Sequence, residues 1–364
     1  MSPLGDHHNQ REREGGAVVR AVVFERFGGP LEVRTVPDPA PADHGVVVAV
    51  EASGLCRSDW HGWAGHDRAI ALPHVPGHEL AGRVSAVGSA VAHWKTGDRV
   101  TVPFVCACGT CGQCASGNQQ VCERQTQPGF TGWGSFAELV ALDHADVNLV
   151  ALPDDVSAVA AAGLGCRVAT AYRAVVAQGR VRPGTWVAVH GCGGVGLSAV
   201  IVAVAVGARV VAVDVSTSAL DMARSFGADV VIDASDVDDV ARAVREATRG
   251  GAHVSLDALG SAATCAASVR SLRPRGRHVQ VGLLPPDLGH PAVPMARVIA
   301  GELELVGSHG MPAHDYGELL ALVSTGRLRP ELLVTRRIGL EAVGEALPAM
   351  GRPGFPAGIT VIEP

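Results

Sequence analysis

"VAVHGCGGVGLSAV" occupies residues 187–200, and Gly191, Gly193 and Gly196 stand in it in G-x-G-x-x-G spacing. A glycine triplet alone is a weak signal. Here a Val-rich run that predicts a strand precedes it, and an apolar run that predicts a helix follows. An acidic residue, Asp214, ends the next predicted strand 23 residues after Gly191. That context points to a dinucleotide site, not to a bare turn between strand and helix. Gly191 makes the tight turn and Gly193 lets a pyrophosphate approach the backbone. Gly194, Val195 and Gly196 open the helix, whose N–H groups and dipole favour phosphate. Asp214 can accept both hydroxyls of a ribose and would repel a 2′-phosphate. No Arg or Lys follows it until Arg224, so NAD(H) is expected over NADP(H).

Outward from this stretch, strand and helix alternate. The strands "RVVAVD", "DVVID", "HVSLDALG" and "GRHVQVG" are separated by the helices "STSALDMARSFG", "VDDVARAVREATRG" and "AATCAASVRSLRP". The strands are short and do not alternate in polarity, as expected of a parallel sheet covered by helices on both faces. "ELELVGS" (302–308) supplies a sixth strand. Upstream, "GVVVAVEASG", "HELAGRVSAVG", "GDRVTVPF" and "FAELVAL" predict a compact, largely antiparallel domain. Residues 309–364 are too few to fold alone and are expected on that N-terminal part. The fold class is therefore α/β: a β-rich domain (18–167 and 304–364) beside a doubly wound cofactor domain (168–303), after a disordered tail (1–17).

The chain has 364 residues, 47% hydrophobic and 18% charged, with a formal net charge of −6. No basic block stands out, which argues against nucleic acid or an anionic membrane as partner. The first residues carry charges where a signal peptide needs apolar ones. The most apolar run, 197–213, is interrupted by Gly207 and Arg209 and predicts no membrane span. A cytoplasmic location is expected.

Five of the nine cysteines fall within residues 106–122. Cys108, Cys111, Cys114 and Cys122 form C-x2-C-x2-C-x7-C among glycines, a spacing that closes a tetrahedron of thiolates around a structural zinc. An iron–sulfur cluster could use similar spacing. Cys106 lies outside the register. Two further cysteines sit in polar or Gly-rich surroundings, Cys56 in "GLCRSDWHGW" (54–63) and Cys166 in "GLGCRVATAYRAV"; His78 and Glu79 lie in "PGHEL". Two thiolates, one imidazole and an open fourth position make a catalytic zinc site.

With "GLCRSDWH", "PGHE", the four-cysteine lobe, "GCRVATAYRA" and "GCGGVG" in this order, the chain resembles the zinc-dependent medium-chain alcohol dehydrogenases over about residues 18–364. The resemblance implies a GroES-like catalytic domain, a Rossmann domain and a cleft between them. It assigns Cys56, His78 and Cys166 to a catalytic zinc and Glu79 to a carboxylate beside it. It makes Asp59 the residue that orients the histidine, Ser58 the hydroxyl that accepts the substrate's proton, and His61 the group that passes it to solvent. Arg57 matches a position that contacts the cofactor pyrophosphate.

The chemistry agrees. Zinc lowers the pKa of a bound water to roughly 7, the nicotinamide exchanges the hydride, and a serine needs a group titrating near neutrality behind it. The expected reaction interconverts an alcohol with its aldehyde or ketone, using NAD(H) and two zinc ions per chain. The alternatives are a zinc-free reductase of activated double bonds, which should lack Cys56, His78 and Cys166, and a nucleotide-binding relative without turnover. By the same resemblance Trp60, Trp63, Phe104 and Leu283 could line a substrate pocket. The short return from Cys122 to "TGWGSFAEL" resembles the microbial forms, so a homo-oligomer is expected, a tetramer before a dimer.

Overall fold

The computed structural model describes residues 18–284, 291–352 and 354–364; the tail expected over 1–17 lies outside them. Within the C-terminal half, six strands run parallel: β1 (Trp186–His190), β2 (Arg209–Asp214), β3 (Val230–Asp233), β4 (Ala252–Asp257), β5 (Leu272–Gln280) and β6 (Glu304–Gly307). Their order is β3-β2-β1-β4-β5-β6, the doubly wound arrangement whose order reverses beside β1. Ligands bind such sheets at the carboxyl ends of the strands flanking that reversal. Gly191 and Asp214 stand there, after β1 and at the end of β2.

Burial explains the sequence pattern. All five residues of β1 are buried, and α1 (Gly194–Ala205) buries Gly196 through Ala203 without a break. A helix apolar on every side belongs in a core, so the run 197–213 resolves into this helix and β2. Three further helices start where polar side chains cap them: Ser216, Asp239 and Ser261 accept the N–H of Ala219, Arg242 and Thr264. One boundary differs from expectation. The helix Ala262–Arg270 stops before "LRP", which joins β5. Pro274 has no N–H to continue a helix, and the residue before a proline prefers extended backbone.

The second sheet is built on Val46–Leu55, which pairs antiparallel with Leu80–Val87, Leu139–Leu142 and Ile359–Ile362. The last strand sets Thr360 opposite Leu55 and Val361 opposite Gly54, so the C-terminal segment buttresses the backbone that leads into Cys56. Between the two sheets the chain runs as a helical stretch that widens to π geometry over Leu164–Val168 and again over Arg173–Gln178. Such widened turns recur at functional sites, and Cys166 lies on the first of them.

The buried Tyr316 locks this stretch from outside, its hydroxyl donating to the Leu164 carbonyl at 2.9 Å. Tyr316→Phe leaves that carbonyl short of a donor, so calorimetry should show a loss of about 1 kcal/mol with the fold retained.

Candidate active site

Cys56 ends the long strand and begins the helix Arg57–Trp63. A capping box closes that turn: the Cys56 side chain accepts the N–H of Asp59, and Asp59 Oδ2 accepts the N–H of Cys56 at 3.0 Å. The other Asp59 oxygen accepts the Gly77 N–H at 3.1 Å and faces His78 Nδ1 at 2.7 Å. Gly77 adopts φ +108, and a Cβ there would fall 2.6 Å from the Phe136 nitrogen, so no other residue fits before His78. A carboxylate can only accept, so it keeps the proton on Nδ1 and leaves His78 Nε2 with its lone pair. That Nε2 is buried and has no hydrogen-bond partner.

Cys56, His78, Glu79 and Cys166 offer ligand atoms that all lie within 4.8 Å of one another, and all four residues are buried. A partnerless buried imidazole nitrogen between two thiols is what a metal ion would satisfy. Cys56 is held well below the usual thiol range by its hydrogen bond to Cys166 and, against burial, by Arg167 and His78. Burial pushes the Glu79 carboxyl up to about 7, although Arg167 pulls the other way. Arg167 escaped the sequence reading. It is buried and bonded to both oxygens of Glu79. The signal was available: an arginine inside the apolar stretch "GLGCRVATAY" must be paired if it is to be buried.

Around this centre, Ser58 Oγ lies 3.9 Å from Cys56 Sγ. His61 is half-buried and its Nδ1 meets Nδ1 of the exposed His66 at 2.9 Å. Arg57 spreads its guanidinium 4.4 Å above the Trp60 ring and donates to the Met350 carbonyl. Trp60 and Trp63 pack against an apolar cluster with Leu55, Ile70 and Phe130, and the Trp63 indole N–H donates to the Gly29 carbonyl. Phe104 stands edge-on to both His78 and His309. Leu283 is 71% exposed.

The dinucleotide loop has the shape its glycines predict. Gly191 adopts φ +90, and a Cβ on Gly196 would lie 1.8 Å from the Gly191 carbonyl oxygen. Gly193 has nothing within 4 Å of where its Cβ would be, which leaves room for a phosphate. Gly194 and Val195, both part-exposed, follow at the start of α1. Asp214 ties the loop to the second strand, with Oδ2 accepting the Cys192 N–H and Oδ1 those of Val215 and Ser216.

Cys108, Cys111, Cys114 and Cys122 form the second cluster, with all four sulfurs within 4.8 Å. The Thr110 backbone N–H and then the Arg124 guanidinium lower Cys108 to about 5. Arg124 is the other cation the sequence reading missed; its Nη2 lies 3.4 Å from Cys108 Sγ. Cys106 is buried apart from the cluster, and burial raises it to about 12.

The family model for the alcohol dehydrogenase GroES-like domain matches residues 42–154, and that for zinc-binding dehydrogenases matches 194–325. The chain is 35% identical over 316 residues to an alcohol dehydrogenase of Geobacillus stearothermophilus, covering 85% of this chain and 90% of that one. It is 33% identical to an NAD-dependent alcohol dehydrogenase of Sulfurisphaera tokodaii, covering 90% and 95%. The alcohol dehydrogenase TADH from Thermus sp. ATN1 superposes with a TM-score of 0.86 at 34% identity, covering 94% and 99%. The chain belongs to the zinc-dependent medium-chain alcohol dehydrogenase family. For this alcohol dehydrogenase, the two matched spans leave out residues 155–193, which carry Cys166, Arg167 and the first loop glycines.

Asp59→Asn replaces a pure acceptor with an amide that can present N–H to His78. Metal affinity of the His78 cluster should fall about 10–100-fold, measured by competition with a chelator, while the four-cysteine cluster keeps its metal. Retention of both metals at wild-type affinity would remove Asp59 from the orienting role.

Proposed function

We propose that Cys56, His78 and Cys166 hold the catalytic zinc of this alcohol dehydrogenase, that Ser58 and His61 move its proton, and that the Gly191–Gly196 loop with Asp214 holds the cofactor. The enzyme interconverts an alcohol with its aldehyde or ketone by hydride transfer with NAD(H). The observation that carries the assignment is the buried, partnerless His78 Nε2 beside two thiols. When bound, zinc polarises the substrate oxygen and NAD exchanges the hydride.

The chain's own residues do the rest. Asp59 fixes the His78 ring so that Nε2 alone faces the cluster. Ser58, next to the Cys56 sulfur, would take the proton from the substrate hydroxyl. His61 would take it onward. Burial, then Arg57 and His66, hold His61 below 6.5, so at neutral pH its ring is uncharged and able to accept. Phe104 and Phe130 stand edge-on to His78 at 6.2 and 5.3 Å, and these rings support an apolar or aromatic alcohol as substrate. Arg57 is assigned to the pyrophosphate, leaving Met350 and Trp60 when the cofactor binds. Asp214 is assigned to the adenosine ribose, and the four-cysteine cluster to a structural zinc.

A homo-oligomer is proposed, with a tetramer ahead of a dimer. It is supported by β6, which ends the parallel sheet with no partner strand on its outer side among the described residues, and by exposed Met295, Ile299 and Leu305 nearby. Among the described residues no helix is long and apolar enough to cross a membrane. All nine cysteines are free, which suits a reducing compartment, and the cytoplasm is proposed.

A panel of alcohols, read as NADH absorbance with metal content measured on the same sample, should give turnover and two zinc ions per chain. One zinc or none would overturn the ligand assignment. Ser58→Ala should keep zinc and NAD binding but lower turnover about 10²–10⁴-fold; near-normal turnover would remove Ser58 from the proton path. Alcohol oxidation should decline as pH falls through the lowered His61 pKa, on an acid limb lying below 6.5. His61→Gln should abolish that limb, and a limb unchanged in the variant would assign it to another group.

A further inference from the structure

Arg167 has no part in the chemistry above, yet it adjoins all three proposed ligands through their neighbours in the chain. It follows Cys166 in the chain. Its Nη1 donates to the carbonyl of Leu55, the residue before Cys56, at 3.1 Å. Its backbone N–H and Nε donate to Glu79 Oε1 at 2.9 and 3.0 Å, and its Nη2 donates to Oε2; Glu79 follows His78. The side chain is 4% exposed and the carboxylate not at all. Two glycines make room for the pair. A Cβ on Gly54 would fall 2.2 Å from Glu79 Oε2, and one on Gly194 would fall 2.5 Å from Arg167 Cδ. Gly194 is the first residue of α1 in the dinucleotide loop, so one buried side chain spans from metal cluster to cofactor loop.

We propose that Arg167 is a positioning residue of the catalytic metal site. By occupying both oxygens of Glu79 it holds that carboxylate out of the metal's coordination sphere, and by packing beneath Gly194 it makes this restraint sensitive to the dinucleotide. The inference rests on Cys56, His78 and Cys166 being the ligands. Glu79 presents an oxygen within 4.8 Å of the other three ligand atoms, near enough to compete for the metal. The guanidinium fork engages both carboxylate oxygens and opposes that competition with geometry that a lysine cannot reproduce.

The test uses full-length enzyme with cobalt exchanged into the catalytic position and zinc kept in the four-cysteine cluster. Cobalt absorbs strongly in the visible when four-coordinate and several-fold more weakly with a fifth ligand. Arg167→Gln should lower that absorption several-fold, Arg167→Lys should lower it partly, and Arg167→Gln combined with Glu79→Gln should restore it. NAD should shift the wild-type spectrum and leave that of the double variant unmoved. An unchanged Arg167→Gln spectrum overturns the proposal, as does a double variant with the same loss as the single one. A persisting NAD shift in the double variant overturns the link to the cofactor loop. If Arg167→Gln alone fails to fold, the double variant decides, because it buries no unpaired charge; failure to load cobalt there makes Arg167 purely structural. Wild-type enzyme that takes cobalt through other residues overturns the ligand assignment itself, an outcome distinct from the rest.

Discussion

A single buried carboxylate organises the catalytic half. Asp59 is 1% exposed and receives three donors: the N–H of Cys56, the N–H of Gly77 and His78 Nδ1. Burying a charge without partners is prohibitively costly, whereas one that accepts several hydrogen bonds is held firmly. The same contacts cap the helix Arg57–Trp63, fix the tight turn before His78 and choose which imidazole nitrogen stays free. Local folding and the geometry of the proposed metal site are therefore the same event. Whatever displaces Asp59 displaces the segments of Cys56 and His78 together.

The second constraint lies at the seam of the two sheets. The strand that delivers Cys56 is paired on one side by the last strand of the chain, Ile359–Ile362. Cys166 comes from the widened helical turn that leads into the parallel sheet. The three cluster residues thus come from three separate segments, with Cys166 far along the chain from Cys56 and His78. The cluster can form only when the β-rich half is closed by its C-terminal strand and the linking helix is seated, the latter helped by Tyr316 on the Leu164 carbonyl.

What was legible in the sequence is what depends on local spacing. The α/β alternation, the glycine triplet with Asp214, and the four cysteines each follow from periodicity or turn geometry within a few dozen residues. Residue type suggested Cys56, His78 and Cys166 as one site, and the family resemblance gave each its place in it, because no local rule links Cys166 to segments so far away. Arg167, Arg124 and the His61–His66 contact were not read. Their significance lies in where a flexible side chain ends up, which spacing does not encode. "LRP" went astray for a different reason: apolar periodicity ran on past Arg270, and the proline's missing N–H decided the boundary.

The two cysteine clusters also explain each other. Four thiolates around a divalent cation leave an excess of negative charge, and the Arg124 guanidinium, 3.4 Å from Cys108 Sγ, reduces it. Two thiolates and a neutral imidazole already balance a divalent cation, so a guanidinium placed on those sulfurs would weaken them as ligands. Arg167 lies beside that cluster but makes its hydrogen bonds to Glu79 and a backbone carbonyl, and none to Cys56 or Cys166. The cation thus neutralises the one remaining acid near the centre. In the proposed site this leaves the thiolates free to bind and the fourth position free of carboxylate. Closed and open sites differ in what their neighbouring arginine holds as much as in their ligand sets.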